Sequence, residues 1–321
     1  GFTRSWRMNG SRSPEVSPGI VSASRRTDLP AFYAPWLFRR LEAGFAFTVN
    51  PFNPHQVSRI DLSPEAVTCL VLWTRNPGPL LARLPWLEAR GYRFLVQATH
   101  LGYPRELEPR LLPPHRALGL LRTLGDRLGP DRTLWRYDPV FLSHATDPSW
   151  HRRRFSALCA ALAGRVGGVT LSFLDRYPRA ERRFRALRGM SLEPWDPERA
   201  KEARGPLARD LGEIAAGFGL EARSCAEAGL EPWGIPSGAC IDGERIARLW
   251  GVPVPRGRDR NQRPGCRCAP SRDLGAYDTC PGGCAYCYAL SSPERALGRF
   301  ARGEAGKEGE ERFAQGKGWE G

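Results

Sequence analysis

Short apolar runs alternate with longer amphipathic stretches along most of the chain. Seven of these runs are predicted as strands, at residues 20–24, 45–50, 69–74, 93–99, 133–138, 169–174 and 220–225, with an eighth short strand at 239–242. Helical spacing between them predicts helices at residues 31–43, 79–90, 114–128, 149–163 and 197–218. Because parallel strands need crossover helices, the alternation predicts an α/β fold: a TIM-like (β/α) barrel, complete or incomplete, with a C-terminal cysteine-rich iron-sulfur loop.

The same pattern divides the chain into four parts. The barrel body is predicted at residues 19–225, and a cysteine-rich, cluster-binding segment at 226–301 is expected to pack on the mouth of the barrel. Residues 1–18 are a polar leader that we expect to be loose, and residues 302–321 are predicted to be a disordered tail. No run has the length of a membrane span, and the N-terminal residues lack the apolar centre of a signal peptide. We therefore expect a cytoplasmic protein with no membrane partner.

Polar side chains follow the predicted strands at their carboxyl ends. In a barrel these ends meet at one mouth, where active sites are built, so we expect a shared cavity. Ion pairs that only close the barrel are the alternative for any single residue. Arginines would bind a carboxylate or phosphate, and carboxylates would transfer or orient protons. The predicted catalytic residues are Arg25, Arg26, Asp28, Arg136 and Asp138, and the predicted cofactor-binding residues are Asn50, Asn53, Arg75, Gln97 and Tyr286.

Composition fits a folded domain and leaves the partner open. Hydrophobic residues are 41% and charged residues 26% of 321, which excludes disorder for most of the chain. The formal net charge of +14 suggests a nucleic-acid or phosphate-bearing partner, but nearly all basic residues are arginines, as a GC-rich genome would also produce. The arginine-rich run at 176–188 is interpreted as a solvated helix face, with phosphate binding as its alternative.

The chain contains nine cysteines, an odd number that argues against a disulfide framework. Cys69 and Cys159 stand in apolar surroundings and are predicted to be buried thiols of the core. The other seven fall in the last third of the chain. We interpret that group as the part of the sequence that carries the chemistry.

Cys280, Cys284 and Cys287 form a C-x3-C-x2-C motif with an aromatic residue, Tyr286, before its third cysteine. Three thiolates on a glycine-rich loop can bind three irons of a [4Fe-4S] cluster and leave the fourth iron open. Such an iron can bind the amino and carboxylate groups of S-adenosylmethionine (SAM). Tetrahedral zinc is the alternative, although zinc sites usually pair their ligands as C-x2-C.

Cys225, Cys240, Cys266 and Cys268 have the number needed for a second, fully ligated iron-sulfur cluster. Alternatively, one of them supplies the fourth ligand of the first cluster. That arrangement would close the SAM position and make the protein an electron carrier.

Several short motifs occur in an order that resembles one bacterial family, the domain of unknown function 1848. They include SASRRTD at 22–28, NPFN at 50–53, WTRNP at 73–77, RYDP at 136–139 and the run from Ser271 to Cys280. The resemblance implies that Cys280, Cys284 and Cys287 are similar to the cluster motif of radical-SAM enzymes. That motif usually follows the first barrel strand, whereas here it lies near the end of the sequence, and no G-G-E segment follows the second predicted strand.

Together these features predict a radical-SAM-like enzyme that cleaves SAM and starts radical chemistry on an unknown small-molecule or nucleic-acid substrate. It would need an electron donor such as ferredoxin or flavodoxin. Two alternatives remain open at this point: a nucleic-acid-binding protein with a structural zinc or iron-sulfur site, and an electron-transfer protein with a fully ligated cluster.

Overall fold

Apolar runs that are buried on both faces form the central strands of one large sheet. The structure, a computed structural model, describes residues 19–51 and 53–303; the predicted leader at 1–18 and the predicted tail from residue 304 onward lie outside the described residues. The strands are β1 (Gly19–Ala23), β2 (Phe45–Asn50), β3 (Asn53–Asp61), β4 (Val67–Thr74), β5 (Phe94–Thr99), β6 (Thr133–Val140), β7 (Val169–Phe173), β8 (Ala222–Cys225), β9 (Ser237–Gly238) and β10 (Ser271–Asp273).

Helices connect most of the parallel strands. They are α1 (Leu29–Phe32), α2 (Ala34–Ala43), α3 (Gly78–Leu81), α4 (Leu84–Ala89), α5 (Pro114–Leu128), α6 (Pro148–Leu162), α7 (Pro178–Arg185), α8 (Pro197–Gly217), α9 (Gly243–Trp250) and α10 (Pro293–Ala301), with a 3-10 turn at Glu231–Trp233. Several of them begin at an aspartate whose carboxylate accepts a backbone N–H of the first turn, as Asp147 does from Trp150 at 2.7 Å. Of the helices in the described ranges, none is long and apolar enough to cross a membrane.

The main sheet has eight strands in the order β10-β1-β4-β5-β6-β7-β8-β9, and every neighbouring pair is parallel. The sheet curls into a half-barrel, which is compatible with an incomplete TIM-like barrel. Strands β9 and β10, both from the predicted cysteine-rich segment, form its two edges. That segment is therefore built into the sheet at both sides.

The second predicted strand is not part of this sheet. Strand β2 pairs antiparallel with β3 in a separate hairpin, so the expectation that its end contributes to the barrel mouth is wrong. The physical reason is burial: β2 is buried only at Ala46 and Phe47, and most of β3 is polar and exposed. A strand of a central parallel sheet is normally apolar on both faces.

Other differences from the predicted elements are local. The predicted eighth strand lies at Ser237–Gly238 instead of 239–242, and β10 was not predicted because its sequence, Ser-Arg-Asp, has no apolar run. The predicted helix at 79–90 is divided into α3 and α4, with Pro85 in the first turn of α4.

Alternate residues along the strands face two separate cores. Leu70, Leu72 and Trp135 belong to the larger core, beneath the helices. Cys69 and Leu95 belong to a smaller core that also contains Cys240, Ile241, Ile246, Cys266, Cys268 and Ala269. The segment after β9 thus covers the second face of the sheet, and its cysteines Cys240, Cys266 and Cys268 are part of this smaller core. Cys69 and Cys159 are fully buried, as predicted.

Candidate functional site

A cavity of about 430 Å³ lies at the carboxyl ends of the parallel strands. The residues at the ends of β1, β4, β5, β6, β7 and β8 form one part of its wall, and the segments after β9 and β10, with Phe32 and Leu111, form the rest. Because parallel strands present their carboxyl ends to the same side of a sheet, side chains that are far apart in sequence reach one space.

Most of the predicted site residues line this cavity. The predicted cavity residues found in its wall are Arg25, Arg26, Asp28, Arg75, Arg136, Asp138 and Tyr286. The cysteines found in its wall are Cys225, Cys240, Cys266, Cys268, Cys280, Cys284 and Cys287. Every cysteine of the last third of the chain therefore faces the same space as the strand-end arginines.

Three predicted site residues lie elsewhere. Asn50 and Asn53 are in the β2–β3 hairpin, where the Asn50 side-chain amide donates to Gln56 Oε1 at 2.7 Å on the protein surface. Gln97 is 1% exposed and donates to the carbonyl of Cys240, so it lies behind the cavity wall. None of these three residues is among those that line the cavity, and for Asn50 and Asn53 the reason is that β2 and β3 pair in a separate hairpin.

Four of the cysteines form what we call the four-thiol group: Cys225, Cys240, Cys266 and Cys268. The Sγ atoms of Cys225 and Cys240 are 2.9 Å apart, and Cys268 forms side-chain hydrogen bonds with both Cys240 and Cys266. The backbone N–H of Ile241 donates to Cys268 Sγ at 3.3 Å. Three segments of chain thus deliver four sulfur atoms to one place.

Two arginines supply positive charge beside the four-thiol group. Arg136 is 6% exposed, donates to Cys240 Sγ and pairs with Asp138. Arg25 interacts electrostatically with Cys268 and Cys240, and its buried Nη2 has no hydrogen-bond partner in the structure. Burial alone would lower the pKa of Arg136, but the neighbouring thiols and Asp138 raise it above its usual value. Arg25 Nη1 also lies 3.6 Å from Asp259 Oδ2 and donates to Ser271 Oγ at 3.3 Å, so among the described residues Nη2 is its only buried nitrogen that lacks a partner.

Contacts within the four-thiol group lower the pKa of two of its thiols and raise the pKa of the other two. The Cys240 thiol donates to Cys225, which lowers the pKa of Cys225 to about 7, and the contacts of Cys268 with Cys240 and Cys266 lower the pKa of Cys268. The same bonds raise the pKa of Cys240 and Cys266, the donors. The thiolate form is the one that binds metals, so all four sulfurs would lose their protons on binding one.

The other three cysteines lie on what we call the three-cysteine loop, residues 280–287, which follows β10. Tyr286 donates its hydroxyl to Glu108, and Arg75 pairs with the same carboxylate at 2.6 Å. Arg75 also lies over the ring of Tyr286, 5.4 Å from its centre. The Ala285 N–H donates to the carbonyl of Leu107 at 2.9 Å. These contacts fix the loop against the end of β4 and the loop after β5.

Arg183 of α7 holds the other side of the loop. It donates to the carbonyls of Cys287, Ala285 and Leu290, the last two at 3.0 and 2.6 Å. Arg182, by contrast, is exposed and pairs only with Glu294 at 3.3 Å. The prediction that the arginine-rich run forms a solvated helix face is therefore wrong for Arg183, which satisfies the carbonyls of the loop.

Burial dominates the chemistry of the three-cysteine loop. It raises the pKa of Cys280 and Cys284 to about 12 and that of Cys287 to about 11. The three thiols also raise one another's pKa, which shows that they lie close together. Arg75 opposes this shift at Cys284, and Arg183 followed by Arg75 opposes it at Cys287, because each guanidinium lowers the pKa of the neighbouring thiol. Without a metal these sulfurs are thiols at neutral pH.

Asp273, at the end of β10, connects the loop to the first strand of the sheet. Its carboxylate accepts hydrogen bonds from Ser22 Oγ at 2.7 Å, Ser24 Oγ at 2.6 Å, and the backbone N–H groups of Arg25 and Gly275, both at 2.9 Å. Gly275 has no room for a side chain, since a Cβ there would lie 1.9 Å from Ser24 Oγ. This junction sets where the three-cysteine loop leaves the sheet.

Asp28 has a structural task in addition to its place in the cavity wall. It accepts the N–H of Ala31 at 3.0 Å, which begins α1, and the N–H of Arg75 at 2.7 Å, which ties the end of β4 to the end of β1. Burial raises its pKa to about 6 even though these bonds oppose the shift.

Sequence reasoning missed several residues that organise the site. Trp73 lies between two arginines, with Arg25 5.6 Å and Arg136 5.1 Å from its ring. Glu108 and Asp273 also received no predicted role. A signal existed for Trp73 and Asp273, which belong to the short motifs quoted above. None existed for Glu108, which lies outside every apolar run and motif.

The residues described, 19–51 and 53–303, contain no group of three or more histidine, cysteine, aspartate or glutamate side chains already arranged to hold a metal ion. The thiols form hydrogen bonds with one another and with neighbouring groups instead. The donor chemistry is nevertheless uniform, since all seven cysteines are free thiols.

The fold and the cavity define a parallel α/β half-barrel protein with a cysteine-lined cavity at its strand ends. The family described as Domain of unknown function (DUF1848) matches residues 20–289 of the chain, and the protein belongs to that family. The matched range includes the whole eight-stranded sheet except Gly19, and it includes all seven cysteines of the cavity. Among curated proteins no match is found.

Proposed function

We propose that this protein is an iron-sulfur enzyme of the radical-SAM-like type, with a [4Fe-4S] cluster bound by Cys280, Cys284 and Cys287. The observation that carries the proposal is that these thiols share one cavity with the strand-end arginines and carboxylates. A cluster there would have a substrate-sized space next to it, with charged groups to bind what enters.

The donor set and the shape of the loop fit such a cluster. Three thiols lie on eight residues of one buried loop, and Gly282 keeps the space beside Cys280 narrow and apolar. A Cβ at Gly282 would lie 3.3 Å from Leu111, 3.5 Å from Phe32 and 3.6 Å from Cys280 Sγ. Thiolate ligands with no histidine or carboxylate among them bind iron-sulfur clusters or zinc, and the C-x3-C-x2-C spacing differs from the C-x2-C pairs that zinc sites usually use.

The place of the loop in the sheet supports the same proposal. The motif of radical-SAM enzymes follows the first barrel strand, and here it follows β10, the edge strand that pairs in parallel with β1. The motif comes late in the sequence, but the strand that precedes it, β10, lies at the edge of the sheet next to the first strand, β1. The segment that follows the next strand, β1, is Ser24 to Asp28, and it also lines the cavity.

When bound and reduced, such a cluster supplies one electron that splits SAM into methionine and a 5′-deoxyadenosyl radical. The chain's own residues would bind and orient the molecules involved. Arg25 and Arg136 carry charges suited to a carboxylate or phosphate, Trp73 between them offers a flat apolar surface, and Arg136 orients Asp138 at the cavity wall. An electron donor such as ferredoxin or flavodoxin would have to reduce the cluster before each cleavage of SAM.

The test is the formation of 5′-deoxyadenosine from SAM, with dithionite as the electron source. Protein purified without oxygen and reconstituted with iron and sulfide should form 5′-deoxyadenosine, and Cys284→Ser should form at least tenfold less. Cys159→Ala removes a buried thiol far from the cavity and should match the wild type. Full iron loading of the wild type without any cleavage of SAM would overturn the proposal.

A further inference from the structure

We propose that the four-thiol group is a second, separate metal centre: an iron-sulfur cluster ligated by Cys225, Cys240, Cys266 and Cys268, with no open iron. This inference goes beyond the proposed function, because its ligands and its position are separate from the three-cysteine loop and its test is made after the thiols of that loop are removed.

The first observation is convergence. Cys225 ends β8, Cys240 follows β9, and Cys266 and Cys268 lie on the segment between α9 and β10. These segments are brought together by the pairing of β8 with β9, in which Cys225 is opposite Gly238. Cys240 Sγ lies 2.9 Å from Cys225 Sγ, the Cys268 N–H donates to Cys266 Sγ at 3.5 Å, and the side chain of Cys268 interacts with those of Cys240 and Cys266.

The second observation is burial within an apolar layer. Cys240 and Cys268 are each 2% exposed and Cys266 is 7% exposed, and all three pack in the smaller core of the sheet with Ile241 and Ile246. Cys225 packs against the same core. An apolar shell of this kind keeps water away from a cluster and protects its sulfides.

The third observation points directly to an anionic ligand. A four-cysteine cluster carries net negative charge, and its sulfur atoms accept hydrogen bonds. Arg136 already donates to Cys240 Sγ. The Arg25 guanidinium interacts electrostatically with Cys268 and Cys240, and its buried Nη2 still lacks a partner. Cluster sulfur would satisfy that donor.

The spacing of the cysteines favours iron over zinc. Zinc sites usually draw their ligands in pairs of the form C-x2-C, whereas Cys266 and Cys268 are separated by one residue and the other two ligands stand alone on different segments. Ligands dispersed in this way suit the larger volume of a cubane, whose irons are spread over several ångströms.

The test counts metals in a variant that lacks only the first centre. Iron, acid-labile sulfide and zinc are measured in the wild type and in the triple variant Cys280→Ser, Cys284→Ser, Cys287→Ser, both reconstituted without oxygen. We expect about eight irons per chain in the wild type and about four irons with about four sulfides in the triple variant. Adding Cys268→Ser to the triple variant should remove the remaining iron, whereas adding Cys159→Ala should not.

Each alternative result has a defined meaning. A triple variant that contains no iron, or that contains about one zinc and no sulfide, overturns the second iron-sulfur cluster. Because the triple variant leaves the four-thiol group intact, this outcome does not depend on whether Cys268→Ser folds. Failure of SAM cleavage in the wild type, with four irons retained in the triple variant, would reject the proposed function and leave the second centre standing.

Discussion

The two groups of cysteines reach the same cavity by different routes. The three-cysteine loop carries its thiols on eight consecutive residues and depends on polar contacts from Arg75, Glu108 and Arg183 for its position. The four-thiol group collects its sulfurs from three segments and depends on the pairing of β8 with β9 at the edge of the sheet.

The comparison shows which of the two cysteine groups a sequence pattern can reveal and which one requires knowledge of the strand order. A motif within one loop can be recognised in the sequence, because all of its metal-binding side chains lie on that loop. A group of cysteines that strand pairing brings together has no characteristic spacing in the sequence. It can be recognised only when the order of the strands in the sheet is known. The two groups should therefore respond differently to mutations in their supports.

The largest expected effect is at the junction between β10 and β1, which fixes the start of the three-cysteine loop. Asp273→Ala removes the acceptor of four hydrogen bonds, from Ser22, Ser24, Arg25 and Gly275. Hydrogen bonds to a charged acceptor are each worth about 1.5 to 3 kcal/mol, so we expect the free energy of unfolding to fall by about 3 kcal/mol or more. Denaturant unfolding of the wild type and the variant measures the change.

Asp196→Ala provides the matched control for that variant. Asp196 is also an acceptor at the end of an element, but it accepts only the N–H of Arg199, at 3.0 Å. Loss of this helix cap should cost about 1 kcal/mol. If the two variants are destabilised equally, Asp273 is an ordinary cap and the junction does not organise the loop.

A smaller and more selective effect is expected from Arg183→Ala. The change leaves two carbonyls of the three-cysteine loop, and that of Leu290 just after it, without their donor, while the four-thiol group keeps all its contacts. Iron per chain should fall by about half, to about four, and the residual cluster should be the one bound by the four-thiol group.

Arg182→Ala is the control, because Arg182 has the same side chain on the same helix and pairs only with the exposed Glu294. It should retain the iron content of the wild type. Equal losses of iron in the two variants would show that α7 acts through its overall charge, and not through the carbonyl contacts of Arg183.

The smallest expected effect is that of Asn50→Ala. Asn50 lies in the β2–β3 hairpin and contacts Gln56 on the surface, so neither metal content nor SAM cleavage should change measurably.

Asp138→Asn is the variant with which Asn50→Ala is compared. It should reduce SAM-dependent turnover at least tenfold, because Asp138 lines the cavity and pairs with Arg136. An Asn50 variant as impaired as the Asp138 variant would place the hairpin in the site after all.

The sequence predicts the sheet well wherever strands are apolar and buried. Strands β4 to β7 occur within two residues of their predicted starts and ends, since both faces of each are packed. The hydrophobic pattern does not predict β10, because its three residues are polar and pair with β1 through their backbone. The hairpin was misplaced because an apolar run such as Phe45–Asn50 does not reveal whether its second face is covered.

The site follows the same rule. The arginines and carboxylates at the ends of β1, β4 and β6 were predicted, since each directly follows an apolar strand. Glu108 was missed because it acts from a loop, and Arg183 because an arginine-rich helix does not indicate which arginine points inward. The proximity of the four thiols depended on the edge position of β9, which no local pattern encodes.

The most direct test of the account is the electron paramagnetic resonance spectrum of the reduced protein before and after addition of SAM. If the three-cysteine loop holds a cluster with one iron free of protein ligands, the signal of that cluster should change when SAM binds, and the signal should be absent from Cys284→Ser. If the signal that disappears in Cys284→Ser is the same with and without SAM, the central claim is contradicted.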